Sequence, residues 1–361
     1  MKSFPSLSRR EFLEKMTPAT LAVLAGVQTV LPVPATANPA TGETNPLFKT
    51  EVKKFVPVMI TAYNSQSGID FDAVSRLIDF YLAAGAKGFF ANCLSSEMYF
   101  LSDQERIDLT RHVVNYVNGR VPVVSTGSFG DTLQAKADFA TKIHDTGVDG
   151  VILISSHFAE KQESDEVLLA NFEKFLAMTG NFKVGTYECP TPYKRLISPE
   201  VFRALVSNKR FIYHKDTSED IKNIETKLQI ARGTQLEFYN AHTASAAESL
   251  QKGARGMSPI SGNFYPEIHA WLCKYASDRS KAADVSWIQA EIARTEPIIS
   301  VSYPLSSKYF LKKRGVPLEL ISRTKAKTIS AEQMKILDNT YTVFLGWCDR
   351  LGIKPASLAM K

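Results

Sequence analysis

Two stretches decide the fold: Lys183-Val184-Gly185-Thr186-Tyr187-Glu188-Cys189-Pro190 and Phe211-Ile212-Tyr213-His214-Lys215-Asp216-Thr217-Ser218. Each begins as a short run rich in β-formers and breaks into polar or turn residues, which is the signature of a strand and its end. Between them Pro199–Val206 has the texture of an amphipathic helix. Strand, helix and strand in that order make a parallel unit, because a crossover is needed to return the chain to the same edge.

The same beat extends outward in both directions. Strand-like runs are expected at 55–62, 88–92, 121–126, 150–155, 182–187, 210–215, 235–240 and 253–258. Helix-like stretches separate them at 70–84, 104–117, 132–146, 166–178, 199–206, 221–231 and 243–252. On the first of these Phe71, Val74, Leu77, Ile78, Tyr81 and Leu82 share one face. Ala84-Gly85, Thr146-Gly147 and Lys252-Gly253 supply the glycine stop that lets a helix end in a left-handed residue. Eight such repeats predict an α/β fold of the (β/α)8 TIM-barrel type, spanning 51–280. Beyond it, 265–276 reads as the eighth barrel helix, and 287–294, 305–313 and 331–350 as helices with no strand between them. Residues 281–361 are therefore expected to form a C-terminal helical region.

The first 37 residues read as an address. Ser8-Arg9-Arg10-Glu11-Phe12-Leu13 resembles a twin-arginine export signal, followed by the apolar run 19–27 and the small-residue site Ala35-Thr36-Ala37. The expectation is a signal peptide over 1–37, a polar linker over 38–50, passage through the twin-arginine translocase, and release of folded protein into a periplasm. The apolar run is too short for a stable membrane span. Lys2, Arg9, Arg10 and Lys15 against Glu11 and Glu14 account for +2 of the net charge of +6, leaving +4 on the remainder. With acidic and basic residues interspersed and no arginine-rich tract, nothing favours nucleic acid. Cys93, Cys189, Cys273 and Cys348 show no C-x-x-C spacing and read as buried thiols. The six histidines show no H-x-x-x-H spacing, so neither a metal nor another cofactor is expected.

In a barrel, chemistry gathers at the carboxyl ends of the strands. Lys215 ends strand six, Tyr187 ends strand five, and Cys93-Leu94-Ser95-Ser96-Glu97 follows strand two. A lysine amine that burial keeps unprotonated is a nucleophile for a ketone, and a neighbouring phenol can relay the protons of imine formation. Taken singly, Lys215 is also what a surface strand end would carry, and Tyr187 what a core would.

These residues resemble the dihydrodipicolinate synthase/N-acetylneuraminate lyase family over roughly 52–350. Tyr187-Glu188-Cys189-Pro190 is similar to the family's Y-N-x-P motif, and Ile212-Tyr213-His214-Lys215-Asp216 to its Schiff-base strand G-x-K-[ED]. Cys93–Glu97 with Leu101–Arg106 is similar to G-[TS]-[TS]-G-E and its following helix. Lys308–Leu311 with Arg314–Pro317 is similar to the C-terminal helix and turn. The resemblance implies class I aldolase chemistry. Lys215 would form an imine with pyruvate or another 2-oxo acid, and Tyr187 would shuttle the proton. Ser95, with the backbone of Leu94–Ser96, would hold the carboxylate, and His157 and Ser258 would join the substrate site. It also implies a homotetramer or homodimer.

The departures shape the expected substrate. Leu94 stands where the family has a relay hydroxyl, and Phe158 where it has a tyrosine reaching across a subunit interface. The arginine expected near Pro192 is missing, with Lys194 and Arg195 close by but out of register. His157 is a candidate proton carrier in place of the lost tyrosine. Glu188, where the family has asparagine, is expected to be a solvated loop residue. Retro-aldol cleavage of a sialic acid or 2-keto-3-deoxy sugar acid is the expected reaction. The alternatives are a dihydrodipicolinate synthase-like condensation or a silent 2-oxo-acid binding protein.

Overall fold

The computed structural model describes residues 52–325 and 328–358. The twin-arginine segment 1–37 and the linker 38–50 lie outside the described residues. Among these residues, eight parallel strands alternate with eight helices. They run β1 Lys54–Phe55, α1 Phe71–Ala83, β2 Phe89–Phe90, α2 Asp103–Val117, β3 Val123–Thr126, α3 Leu133–His144, β4 Gly150–Ile154 and α4 Asp165–Met178. There follow β5 Val184–Tyr187, α5 Pro199–Ser207, β6 Phe211–Asp216, α6 Ile221–Ala231, β7 Glu237–Asn240, α7 Ala246–Gln251, β8 Gly256–Met257 and α8 Pro266–Tyr275. The sheet order is β1-β8-β7-β6-β5-β4-β3-β2, and a parallel bridge between Val58 and Phe90 closes the ring. The expected (β/α)8 barrel is therefore the fold, with regular strands shorter than the apolar runs that carry them.

Local chemistry sets the helix boundaries. Ser102 accepts from the Glu105 amide while the Glu105 carboxylate accepts from the Ser102 amide, a reciprocal cap that satisfies two orphan donors of α2. Pro199 opens α5, where its missing N–H costs nothing, behind the cap Ser198. At the amino-terminal end of the barrel Lys54 and Glu237 form a buried ion pair at 2.8 Å, and the Tyr239 hydroxyl also donates to Glu237 at 2.6 Å. That end is plugged by structural bonds, which leaves the other end for chemistry.

Three further helices follow: α9 Ala282–Ser300, α10 Leu305–Lys313 and α11 Ala331–Leu351. The first is much longer than the expected 287–294 and continues through Pro297. Burial of Val285, Ile288, Ile292 and Ile299 on one side outweighs the local cost of the proline. Gln289 of α9 accepts from the Ala247 amide and donates to the Thr243 carbonyl, so the helix lies across the carboxyl-end rim of the barrel. Its last turns reach the site.

Candidate active site

A register shift between β5 and β6 builds the centre of the site. Val184 pairs with Phe211, but Gly185 pairs with Tyr213, so β6 carries one extra residue, Ile212. Tyr187 consequently stands opposite Lys215 and Thr186 opposite His214. Without the bulge Tyr187 would face His214, because side chains alternate every residue along a strand. Gly185 permits this close approach: a Cβ there would lie 2.7 Å from the Cβ of Tyr213. The result is an amine at 4.4 Å from the centre of the Tyr187 ring, with the Phe90 ring at 5.6 Å on another side.

Lys215 is buried, and no carboxylate pairs with it among the described residues. Burial pushes its amine below the usual lysine value, with the Cys93 and Cys189 thiols opposing the shift. Burial also pushes the Tyr187 phenol well above its ordinary value, so it stays protonated and able to donate. The pair sets an amine shifted toward its neutral form beside a phenol that keeps its proton.

The loop after β2 forms a one-turn cradle on the cavity wall. Leu94–Ser96 forms a single 3-10 turn in which the Ser96 amide donates to the Cys93 carbonyl and the Glu97 amide to Leu94. The amides of Leu94 and Ser95, at the start of the turn, stay outside its ladder. Glu97 takes a left-handed conformation at φ 61° and is buried. Its carboxylate accepts from Lys308 Nζ at 3.2 Å, Ser322 Oγ at 3.0 Å and the Arg323 amide at 2.6 Å. Those bonds offset the strain and fasten the chain around 322–324 to the barrel rim.

A cavity of about 660 Å³ opens above Lys215. Leu94, Ser95, Tyr187 and Ser258 from the sequence expectation line it together with Lys215. Ser96 and His157 do not. The Ser96 hydroxyl turns to the carbonyls of Met59 at 2.6 Å and Ala91 at 2.9 Å, so it braces the loop instead of facing substrate. His157 sits one step behind: its Nδ1 is 2.7 Å from the Ser128 carbonyl, and its Nε2 is 3.0 Å from the Tyr99 hydroxyl, which lines the cavity. A carbonyl only accepts, so Nδ1 carries the proton; the Tyr99 hydroxyl also has the Thr191 carbonyl at 2.6 Å, and its single proton serves either that oxygen or Nε2. Burial lowers the His157 pKa to about 4, with the Ser128 bond opposing, so it is neutral. Contact with substrate would have to pass through Tyr99.

One further expectation changes, and two of the departures noted in the sequence find their places. Glu188 is wholly buried, not solvated. It accepts from Lys227 Nζ at 2.5 Å, the Ile197 amide at 2.7 Å and the Thr217 amide at 3.0 Å. Lys227 also reaches Asp216 at 2.7 Å, so one ammonium serves two carboxylates directly behind the Lys215 strand. Glu188, His214 and Asp216 offer ligand atoms within 4.8 Å of one another, but the ammonium already supplies the positive charge that a metal would bring. Arg195 is turned away, bound to the carbonyls of Glu160, Glu163 and Ser164. Phe158 packs inside its own chain against Phe172 at 4.6 Å and Phe175 at 5.2 Å.

Among the cavity residues that sequence reasoning missed are two from far along the chain. Glu296 and Tyr303 come from the end of α9 and the turn after it, more than 80 positions beyond Lys215. Glu296 accepts from Thr243 Oγ1 at 2.7 Å. Burial raises its carboxyl to about 7, opposed by the Thr243 bond and reinforced by Glu219.

The chain matches the dihydrodipicolinate synthetase family over residues 51–342. It belongs to that family. Membership makes it a class I aldolase or lyase. It is similar to the 4-hydroxy-tetrahydrodipicolinate synthase of Stutzerimonas stutzeri (strain A1501), 25% identical over 303 residues, covering 84% of this chain and 95% of that one. The synthase of Marinobacter nauticus is 23% identical over 261 residues, 72% of this chain and 84% of that one. Among solved structures it resembles YagE, an E. coli K12 prophage protein of the family in complex with pyruvate (TM-score 0.72, 19% identity, 84% of this chain and 99% of that one). The 4-hydroxy-tetrahydrodipicolinate synthase of Methylacidiphilum fumariolicum SolV aligns with TM-score 0.73 and 18% identity, over 83% and 98% of the two chains. At these identities the structural likeness speaks for the fold.

Proposed function

We propose that Lys215 forms a Schiff base with pyruvate or a closely related 2-oxo acid, and that the cavity above it carries aldol-type condensation of the resulting enamine with an aldehyde. The observation that carries this reading is the buried, carboxylate-free amine of Lys215 lying over Tyr187 on the floor of the cavity. The neutral amine adds to the C2 carbonyl of the acid, and the alkoxide takes a proton. Loss of water from the carbinolamine then needs a proton donor, and Tyr187 keeps its proton for that step. Loss of a proton from C3 converts the iminium to an enamine, the carbon nucleophile. The Leu94 and Ser95 amides and the Ser95 hydroxyl face the place where the carboxylate would rest.

The names of the relatives favour the condensing direction over the sugar-acid cleavage expected from the sequence. Their own aldehyde is not carried over. The arginine expected near Pro192 has no counterpart in the cavity, and Lys194, the cation on its wall, is held by Glu219 at 2.8 Å.

Borohydride reduction of the protein with pyruvate, followed by intact mass and peptide mapping, tests the reading. A stable adduct on Lys215, absent from Lys215→Ala, is the expected result. Failure to trap pyruvate or larger 2-oxo acids on folded protein would refute it. Supplying aldehydes to the pyruvate-loaded enzyme then separates a condensing enzyme from one that binds without turnover.

A further inference from the structure

Tyr303 lies on the cavity wall, in the turn between α9 and α10. The residue before it, Ser302, is left-handed at φ 61°. What the phenol does is set by Asn263. The Asn263 side-chain nitrogen is 2.9 Å from the Val58 carbonyl oxygen. A carbonyl can only accept, so the atom beside it is the NH2 and the amide cannot be flipped. The amide oxygen is then left to accept from the Tyr81 hydroxyl at 2.5 Å. The second proton of the same NH2 points at the Tyr303 oxygen, 2.7 Å away.

Tyr303 therefore uses its oxygen as an acceptor from Asn263, and its own O–H is left to point elsewhere. Ser95 lines the same cavity as Tyr303. Burial pushes the phenol above its ordinary value, with Ser95 and Asn263 among the opposing groups, so the proton is retained. A phenol that keeps its proton, has its oxygen satisfied from behind and stands beside the carboxylate cradle is a donor waiting for an anion.

We propose that Tyr303 is a substrate-binding residue: its hydroxyl, oriented by the Val58–Asn263–Tyr81 chain, donates with Ser95 to the carboxylate of the 2-oxo acid. The proposal rests on the Schiff-base reading above. It also gives the turn after α9 a direct part in the site, since a barrel without it would lack one donor to the anion.

The test is borohydride trapping by the full chain and by Tyr303→Phe, titrated with pyruvate and, separately, with its uncharged amide. A hydrogen bond to a charged group is stronger than one to a neutral group. The variant should therefore need about tenfold to a hundredfold more pyruvate for half-maximal trapping. It should change little toward the amide and reach the same final adduct on Lys215. A thermal-unfolding scan confirms that the variant is folded. Equal shifts for pyruvate and amide would mean that the phenol only shapes the wall, and would overturn the proposal, as would no shift for pyruvate. No adduct in the unmodified chain would instead sink the Schiff-base reading and this proposal with it.

Discussion

Replacing Lys227 by Met tests how the site is held from behind. The Lys227 ammonium is fully buried, 2.5 Å from Glu188 and 2.7 Å from Asp216, both also fully buried. With methionine, the positively chargeable group nearest the two carboxylates is His214, at 3.8 Å from each. Removing one partner of a buried ion pair costs about 3–5 kcal/mol, because the remaining charge cannot regain water. At about 2–4 °C per kcal/mol for a domain of this general size, Tm should fall by roughly 6–20 °C. The sign of the pH dependence follows from the same change. Glu188 already has a carboxyl pushed up by burial and by Asp216, against the pull of Lys227. Without Lys227 the folded Glu188 carboxyl rises further above its unfolded value, and Asp216 loses part of the pull that holds its own carboxyl down. The folded variant then holds protons that the unfolded chain releases, and its deficit grows as pH climbs from 5 to 8. Calorimetry at both ends of that range measures it. The Glu188 amide donates to the Lys215 carbonyl at 3.2 Å, so pyruvate trapping should slow as well, by about tenfold to a hundredfold if the amine moves by an ångström. A variant within about 2 °C of the parent at pH 8 would refute the view that this cluster is a stabilising ion pair.

The remaining expectations are simpler. Tyr187→Phe should slow imine formation by about 10²–10⁴-fold and leave the final adduct on Lys215 intact, measured as the rate of trapping with pyruvate in excess. The rate–pH curve for trapping should rise with pH as the amine loses its proton. Its inflection should lie below the ordinary lysine value of 10.5, because burial lowers the Lys215 pKa; an inflection at or above that value would contradict the burial argument. The export reading of residues 1–37 predicts that Arg9→Lys with Arg10→Lys leaves uncleaved protein in the cytoplasm, by fractionation and immunoblot, where the parent is shorter and periplasmic.

Much of the architecture was legible because its signal is local. The alternation of apolar runs with amphipathic stretches repeats along the chain, and each repeat needs only the period of its own element to be read. Lys215 and Tyr187 were legible for a related reason: strand ends share one face of a barrel, so position in the repeat implies position in space. Side-chain direction was harder. Ser96 and Ser95 are adjacent in one motif, yet the first braces two backbone carbonyls and the second lines the cavity. A 3-10 turn rotates neighbouring side chains to different sides, and the motif alone does not say which is which. Glu188 was misread because its charge suggested solvent, while the cation that neutralises it comes from Lys227, 39 positions later.

By itself, the order of residues determined the eightfold strand-and-helix repeat, the family, and the lysine and phenol at the ends of successive strands, since each follows from short-range pattern. The tertiary structure alone decided that the extra residue Ile212 in β6 sets Lys215 abreast of Tyr187. It also decided that Lys227 neutralises the two acids behind them, and that the end of α9 with its following turn brings Glu296 and Tyr303 to the cavity. Those outcomes depend on pairing register and on contacts between distant segments, and their energies exist only once the segments have packed.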